Sequence, residues 1–513
     1  MDHGLKELQE RLAEISHLRS ALALLEWDQA THCPDAAHDG RATQLAVLGK
    51  IIQEKSTDPR IGQLLDALQT QVSRSPETDE TRNLIDVVRQ DYARERLVDP
   101  HFKAEMMAHF AQTYNVWTKA KPEDNWNAVK PLLQKTLDYT RRYSDLFVKK
   151  PEAIGMTSVE HPMDPLISLS DFGQKTTSIK KLFSELRAFL VPFANNVIAH
   201  FNPDDSCLYG HFLLAEQKIL NELLAKAIGY NFKSGRIDTT HHPFATHIGP
   251  GDVRITTRYM ERYLGESISS TIHECGHAMY EQGVGPQWKL TPLDSGVSSG
   301  VHESQSRLWE NIVGRSEEFW SFFYPEVQKL FPQFRHIPLE TFVRAMNRVK
   351  KSLVRVDADE VTYNLHVMIR FDLECALLEG KLTIDQLPEA WNERYQSDLG
   401  LTPPRVSQGV MQDVHWYTTF IGGCFQGYTI GNIFSAQIFA AACKDLPETP
   451  QSIARGEFNP LRMWLTNKLY AHGRRWTPDV TIEKASGQPL TIEPYCRYLT
   501  EKYQKLAGIS FQN

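Results

Sequence analysis

In "TIHECGHAMYEQG", residues 271 to 283, two histidines stand four apart, with a glutamate directly after the first. Residues at i and i+4 share one helix face, so the neutral imidazoles of His273 and His277 can bind one ion together. Glu274 sits one step further round, where its carboxylate meets a water rather than the metal, which is the HExxH arrangement. The competing reading is two surface histidines on one helix, in a chain that has nineteen. A catalytic zinc needs a third protein ligand and keeps its fourth position open. Downstream, "VSSGVHESQSRLWENIVGRS" predicts a second helix opened by Ser298 or Ser299, with Glu303 in its first turns. The intervening chain has room for a turn and an antiparallel return that brings Glu303 back to the metal. His302 is a rival ligand, but as the neighbour of Glu303 it points about 100° away. Cys275 faces away from the metal side and reads as packing.

The elements that must position these residues are mostly helical. Leu5, Leu8, Leu12, Ile15, Leu18, Leu22 and Leu25 form the stripe of an amphipathic helix. Similar periods run through residues 61–75, 211–230 and 339–356. Ser269 or Ser270 is the expected cap of the HExxH helix, and Gly283 its end. Breaks fall near 31–40, 75–80, 149–175, 202–206 and 402–407, none of them long enough for a domain linker. The best strand is "GPGDVRITTRYM", residues 249–260, where Val253, Ile255 and Thr257 alternate with Arg254, Thr256 and Arg258. Just before the HExxH helix, it is expected to offer an edge to an extended peptide.

A hydrophobic fraction of 41% and a charged fraction of 23% are those of a soluble globular protein. The net charge of −7, with basic residues scattered among acids, excludes nucleic acid as an expected partner. Seven cysteines without a CxxC pair fit reduced thiols, hence a cytoplasmic protein. The opening "MDHGLKELQERL" lacks the pattern of a signal peptide. Residues 420–443 carry no charge but are broken by Gln426, Asn432, Gln437 and glycines, so they read as buried protein and not a membrane span.

The chain resembles the thermostable carboxypeptidase Taq family of metallocarboxypeptidases through motifs in family order from about residue 20 to 505. HPF is met at His242, Pro243 and Phe244, and DxRxT at Asp252, Arg254 and Thr256. HES/GQ is met at His302, Glu303, Ser304 and Gln305, and GxxQDxHW at Gly409, Gln412, Asp413, His415 and Trp416. The motif [I/G]RxxAD is met at Arg355, Ala358 and Asp359, with Val354 in its first slot. "LLEWDQATHCP" resembles the family's opening, with Cys33 where methionine is more usual. Around Tyr428 the chain reads "GGCFQGYTIGN", where many relatives have an FGYF run.

The resemblance implies one mainly α catalytic domain over 1–513, two helical walls around a deep groove, with a small sheet beside the HExxH helix. It implies His273, His277 and Glu303 as ligands of one divalent metal, zinc or alternatively cobalt, with Glu274 as the acid/base. It also implies a homodimer. An enzyme acting at a free C-terminus must bind a carboxylate, which a planar guanidinium does bidentately. Arg355 is the expected anchor, with Asp359 or Asp357 orienting it. His242, Gln412, His415 and Tyr428 complete the expected substrate-binding set, Tyr428 and His415 as oxyanion donors. Arg254 and Arg258 read as strand-face ion pairs. The expected activity is release of single C-terminal residues from peptides. The alternatives are an endopeptidase or dipeptidyl-peptidase on the same scaffold, or a non-catalytic peptide binder, against which the retention of Glu274 argues.

Overall fold

The computed structural model describes residues 3–72, 75–76 and 79–509. The amphipathic stripe at the start becomes a 29-residue helix, His3–Thr31, hereafter the N-terminal helix. The 61–75 pattern forms Pro59–Val72, with 73 and 74 outside the described residues, and the 211–230 pattern forms Leu214–Ile228. The third pattern is cut short: the helix spans Leu339–Met346 and the chain then turns away. Asn347 ends it by donating from its side chain to the carbonyls of Val343 and Arg315. Asp359 then accepts the Lys350 N–H at 3.1 Å, a bond that holds the chain in its non-helical path.

Three strands, β1 (Ile237–Thr239), β2 (Ala245–Gly249) and β3 (Asp252–Thr257), form one sheet in the order β1-β3-β2. β3 pairs parallel with β1 and antiparallel with β2, across a tight turn in which Gly251 has φ 83°. The expected edge strand is therefore the central one, its backbone groups taken on both sides, and the edges belong to β1 and β2. Thr256 explains the pairing of two motifs. Its N–H donates to the Phe244 carbonyl, and its hydroxyl accepts the Phe244 N–H at 2.8 Å, pinning the loop that carries His242. Arg254 is held by both oxygens of Asp252 and lies over the Trp27 ring, and Arg258 pairs with Glu266. Both arginines are strand-side ion pairs, as their positions suggested.

The HExxH helix spans Gly265–Gln282 and starts earlier than its serines suggested. Ser270 is internal: its hydroxyl donates back to the Glu266 carbonyl and meets Thr257 at 2.8 Å, tying the helix to the end of β3. Gly283 ends it as expected. Glu303 lies on the return helix Ser299–Arg307, capped by Ser298, whose hydroxyl accepts the Val301 N–H. Asp171 adds a buried carboxylate at that N-terminus, accepting the Gly300 N–H at 2.8 Å.

Gln426–Asp445, which takes in most of the uncharged stretch and ends just beyond it, forms a largely buried helix, hereafter the glycine helix. Among the described residues no helix is long and apolar enough to cross a membrane. Ile430 and Ile433 on it join one hydrophobic core, which includes Tyr363 and Phe425, while Phe434 and Ile438 join the other, which includes Ile272 and Cys275. A third core lies under the N-terminal helix. The catalytic motifs fall on the seam between the first two. Glycines set the spacing there. A Cβ at Gly276 would stand 2.6 Å from the backbone of the return helix, and one at Gly431 would stand 2.6 Å from the Glu303 side chain.

Candidate metal centre and active site

Nε2 of His277 lies 3.3 Å from Oε2 of Glu303, and Nε2 of His273 lies 3.6 Å from the same oxygen. The three donor atoms fall within 4.8 Å of one another. Tetrahedral ligands about 2.1 Å from a zinc ion stand about 3.4 Å apart, so this set fits a divalent cation. The remaining atoms of each group are already held. Glu303 Oε1 accepts from Arg307 Nε at 2.7 Å, and Oε2, which also accepts from the Ser306 hydroxyl at 3.0 Å, faces the histidines. His273 Nδ1 meets Glu310 at 2.8 Å, and His277 Nδ1 meets His302 at 2.5 Å. Only one nitrogen of each imidazole is left to face an ion, which is how carboxylate or imidazole partners orient metal-binding histidines. His302 is thus a neighbour of the ligand and not a rival to it.

The charges around this cluster follow from burial against pairing. Burial would raise Glu303, but Arg307, His273 and His277 outweigh it and hold its carboxyl well below the usual range. Glu310, which lies in a π-helical turn over Leu308–Val313, is brought down to about 2 against burial by Arg307 and His273. Burial, with the neighbouring His302 and His273, lowers His277 to about 4. His273 goes the other way, because Glu303 and Glu310 outweigh burial. Burial lifts Glu274 to about 7, with His273 opposing and Glu303 and Glu310 reinforcing. A carboxyl poised there suits proton transfer near neutrality. Cys275 is fully buried in the core, as expected.

Tyr363 and Tyr428 connect this cluster to a second one. Arg307 lies over the Tyr363 ring at 4.5 Å, and Arg355 stands 5.8 Å from the same ring and 5.1 Å from that of Tyr428. Arg355 is 5% exposed. Its Nε and Nη2 donate to Asp413 at 3.0 and 2.8 Å, and its Nη1 donates to the Tyr363 hydroxyl at 2.8 Å. A guanidinium has five N–H groups, so two remain for a ligand. The orienting acid is Asp413, not Asp359 or Asp357. Asp359 accepts backbone N–H groups of Val361 and Thr362 in the turn that leads into the next helix. Asp413 also pairs with Arg370, which is fully buried. Gln412 accepts from the Arg355 N–H and from Arg370, while its amide donates to the Leu353 and Gln408 carbonyls. Both ends of Gln412 are engaged inside the protein, where it holds the Arg355 backbone and the Arg370 guanidinium.

His415 Nε2 meets the Tyr428 hydroxyl at 3.1 Å, while its Nδ1 is buried without a hydrogen-bond partner. That Nδ1 lies 4.0 Å from Asp413 Oδ1. Burial and the arginines lower His415 to about 4, so the ring is uncharged near neutrality. Burial, with the positive charges of Arg355 and Arg258, lowers His242. A cavity of about 570 Å³ is lined by His277, Glu303 and Tyr428 together with Ser295–Ser299, Arg94 and Arg474. Glu310, Arg307, Arg370 and Tyr363 were not anticipated from the sequence. The first two stand at i+7 and i+4 from Glu303, a spacing that was visible as a charged face. The other two carried no local signal.

An HExxH helix crossed by a return helix bearing the third acid, on a predominantly helical frame, is the construction of a metallopeptidase. The chain belongs to the carboxypeptidase Taq (M32) metallopeptidase family, whose pattern matches residues 7–503. It is 38% identical to thermostable carboxypeptidase 1 of Thermus thermophilus, over 98% of this chain and 99% of that protein. Carboxypeptidase 1 of Bacillus subtilis is 35% identical, with 98% of each covered. The crystal structure of the M32 carboxypeptidase from Deinococcus radiodurans R1 superposes with a TM-score of 0.95 at 43% identity, covering 99% of this chain and all of that one. The protein is a metal-dependent carboxypeptidase acting on peptides.

Proposed function

We propose that His273, His277 and Glu303 hold one zinc ion, that Glu274 is the acid/base, and that Arg355 binds the substrate's terminal carboxylate, so that single residues are released. The His2Glu donor set accepts cobalt as well, and zinc is favoured as the metal of such catalytic sites. Bound there, the cation polarises the scissile carbonyl and lowers the pKa of the attacking water. Glu274 takes the proton from that water and hands it to the leaving amine. Tyr428, oriented by His415, donates to the oxyanion as charge develops, and His242 contacts the substrate backbone beside Arg355. In this reading the groove lies in one domain, and the enzyme works as a cytoplasmic homodimer.

The observation that carries the terminal-carboxylate assignment is a charge imbalance. Arg355 and Arg370 are both buried and share one carboxylate, Asp413. Two of the Arg355 N–H groups are uncommitted beside it. A buried surplus cation is unfavourable until an anion arrives, and a peptide's C-terminus supplies one. Arg355→Ala should lower kcat/KM on free-acid peptides about 30- to several-thousand-fold, as loss of one side of a buried charge pair does. Metal content should not change. Wild type should reject C-terminally amidated peptides, and the variant should lose most of that discrimination. Equal cleavage of amidated and free peptides by wild type would remove Arg355 as the anchor and favour an endopeptidase.

A further inference from the structure

His277 and His302 face each other Nδ1 to Nδ1 at 2.5 Å, with ring centroids 4.6 Å apart. The other nitrogen of His302 meets Glu281 Oε1 at 2.7 Å. Glu281 is itself fully engaged: its Oε1 accepts the Gly296 N–H at 2.9 Å, and its Oε2 meets His247 Nδ1 at 3.0 Å. The series runs from the HExxH helix through the return helix and back to β2.

The donors can be assigned by elimination. A carboxylate only accepts, so His302 Nε2 carries a proton. One proton must lie between the two Nδ1 atoms. If His302 supplied it, His277 would accept at Nδ1 and hold its own proton on Nε2, the atom that faces Glu303 and the ion. Metal binding therefore requires His277 to donate and His302 to accept. We propose that His302 is a positioning residue for the metal centre, accepting the Nδ1–H of His277 so that only a bare Nε2 is presented to the cation. The proposal rests on the ligand assignment above.

A second observation shows that this ring is built in. A Cβ at Gly296 would stand 2.5 Å from His302 Cδ2 and 3.0 Å from the Tyr280 ring. The chain is bare of side chain where the imidazole passes. Tyr280 closes the other side, its ring 5.2 Å from that of His302. The pocket thus fits an imidazole whose two nitrogens have different partners.

The test measures zinc affinity of the metal-free full-length protein by competition with a chromophoric chelator, with folding checked by circular dichroism. His302→Phe keeps the ring packing and removes both nitrogens. It should weaken zinc binding about 10- to 100-fold, the range for loss of an outer partner of a ligand. His302→Gln offers an acceptor oxygen and a donor nitrogen about as far apart as the ring nitrogens, and should recover affinity to within about threefold. Unchanged affinity in His302→Phe, or equal loss in the Gln variant, overturns the proposal. Should His302→Phe fail to fold, Gly296→Ala, which displaces the ring without altering it, must weaken zinc in the same direction, and an unchanged affinity there overturns the proposal too. His277→Ala separates the two levels: tight zinc in that variant sinks the ligand assignment itself.

Discussion

The acids and histidines of the metal cluster, from His273 to Glu310, lie on two helices and a π-helical turn. The arginine cluster draws Arg355, Arg370 and Asp413 from three separated segments that share no periodicity. The charge balance differs as well. The metal cluster gathers Glu274, Glu303 and Glu310 around an expected dication, with Arg307 behind and Arg315 paired to Glu310 at 3.3 Å. The arginine cluster gathers two guanidiniums around one carboxylate. The first is acid-rich and suits a metal ion, and the second is cation-rich and suits the substrate carboxylate proposed for it. Each half of the site is thus completed by a ligand of the opposite sign.

That contrast can be broken from either side. Glu303→Ala removes a ligand and a negative charge together, so metal affinity should fall by more than the roughly 10- to 100-fold typical of outer-shell loss. Dialysis followed by metal analysis reads this, and excess metal should restore activity only partly. One tightly held equivalent in the variant would exclude Glu303 as a ligand. Glu274→Gln should leave metal content unchanged while turnover falls about 100- to 10,000-fold, since an amide cannot accept the proton. Normal turnover in the fully metallated variant would displace Glu274 from its role.

On the arginine side, Asp413→Asn leaves two buried cations without a counter-charge. Unfolding should require about 3 kcal/mol less, measured by chemical denaturation, with metal content intact. Stability equal to wild type would show that the cluster is not held by this carboxylate. The smallest effect concerns Glu374, which accepts from Trp416 Nε1 at 2.7 Å. Burial raises its carboxyl from 4.5 to about 8, against Trp416 and Arg370. Because the folded value lies above the unfolded one, the folded state binds the extra proton between these limits. Stability from this group is present below about pH 4.5 and is lost as pH rises towards 8. Glu374→Gln mimics the protonated form, so it should match wild type near pH 4 and become progressively the more stable of the two as pH rises towards 8. A constant difference across that range would refute the assignment.

The metal half was legible in the sequence because its signals are local: an i, i+4 histidine pair, a serine cap at Ser298, and an acid in the next helix. The predominantly helical frame was legible from apolar periods for the same reason. The arginine half was less so. Arg355 was expected from chemistry, yet Asp413 and Arg370 reach it only through tertiary packing, and the bonds of Gln412 to both arginines leave no pattern in the chain either. The helix beyond Met346 failed to continue because Asn347 and Asp359 bond its backbone more favourably than another turn would. The central position of β3 was hidden too, since a strand's neighbours are decided by pairing and not by its own alternation.

The glycines at 276 and 431 place backbone, not side chain, at the contacts that separate the two ligand-bearing helices from each other and from the glycine helix. The distance between the histidines and Glu303 is therefore gauged by main-chain thickness, which is the same in every sequence. Core residues elsewhere can be exchanged over evolutionary time without altering the bite on the ion. The same contacts leave little slack for thermal expansion to open it. A side chain at either position would push these helices apart and shift a ligand.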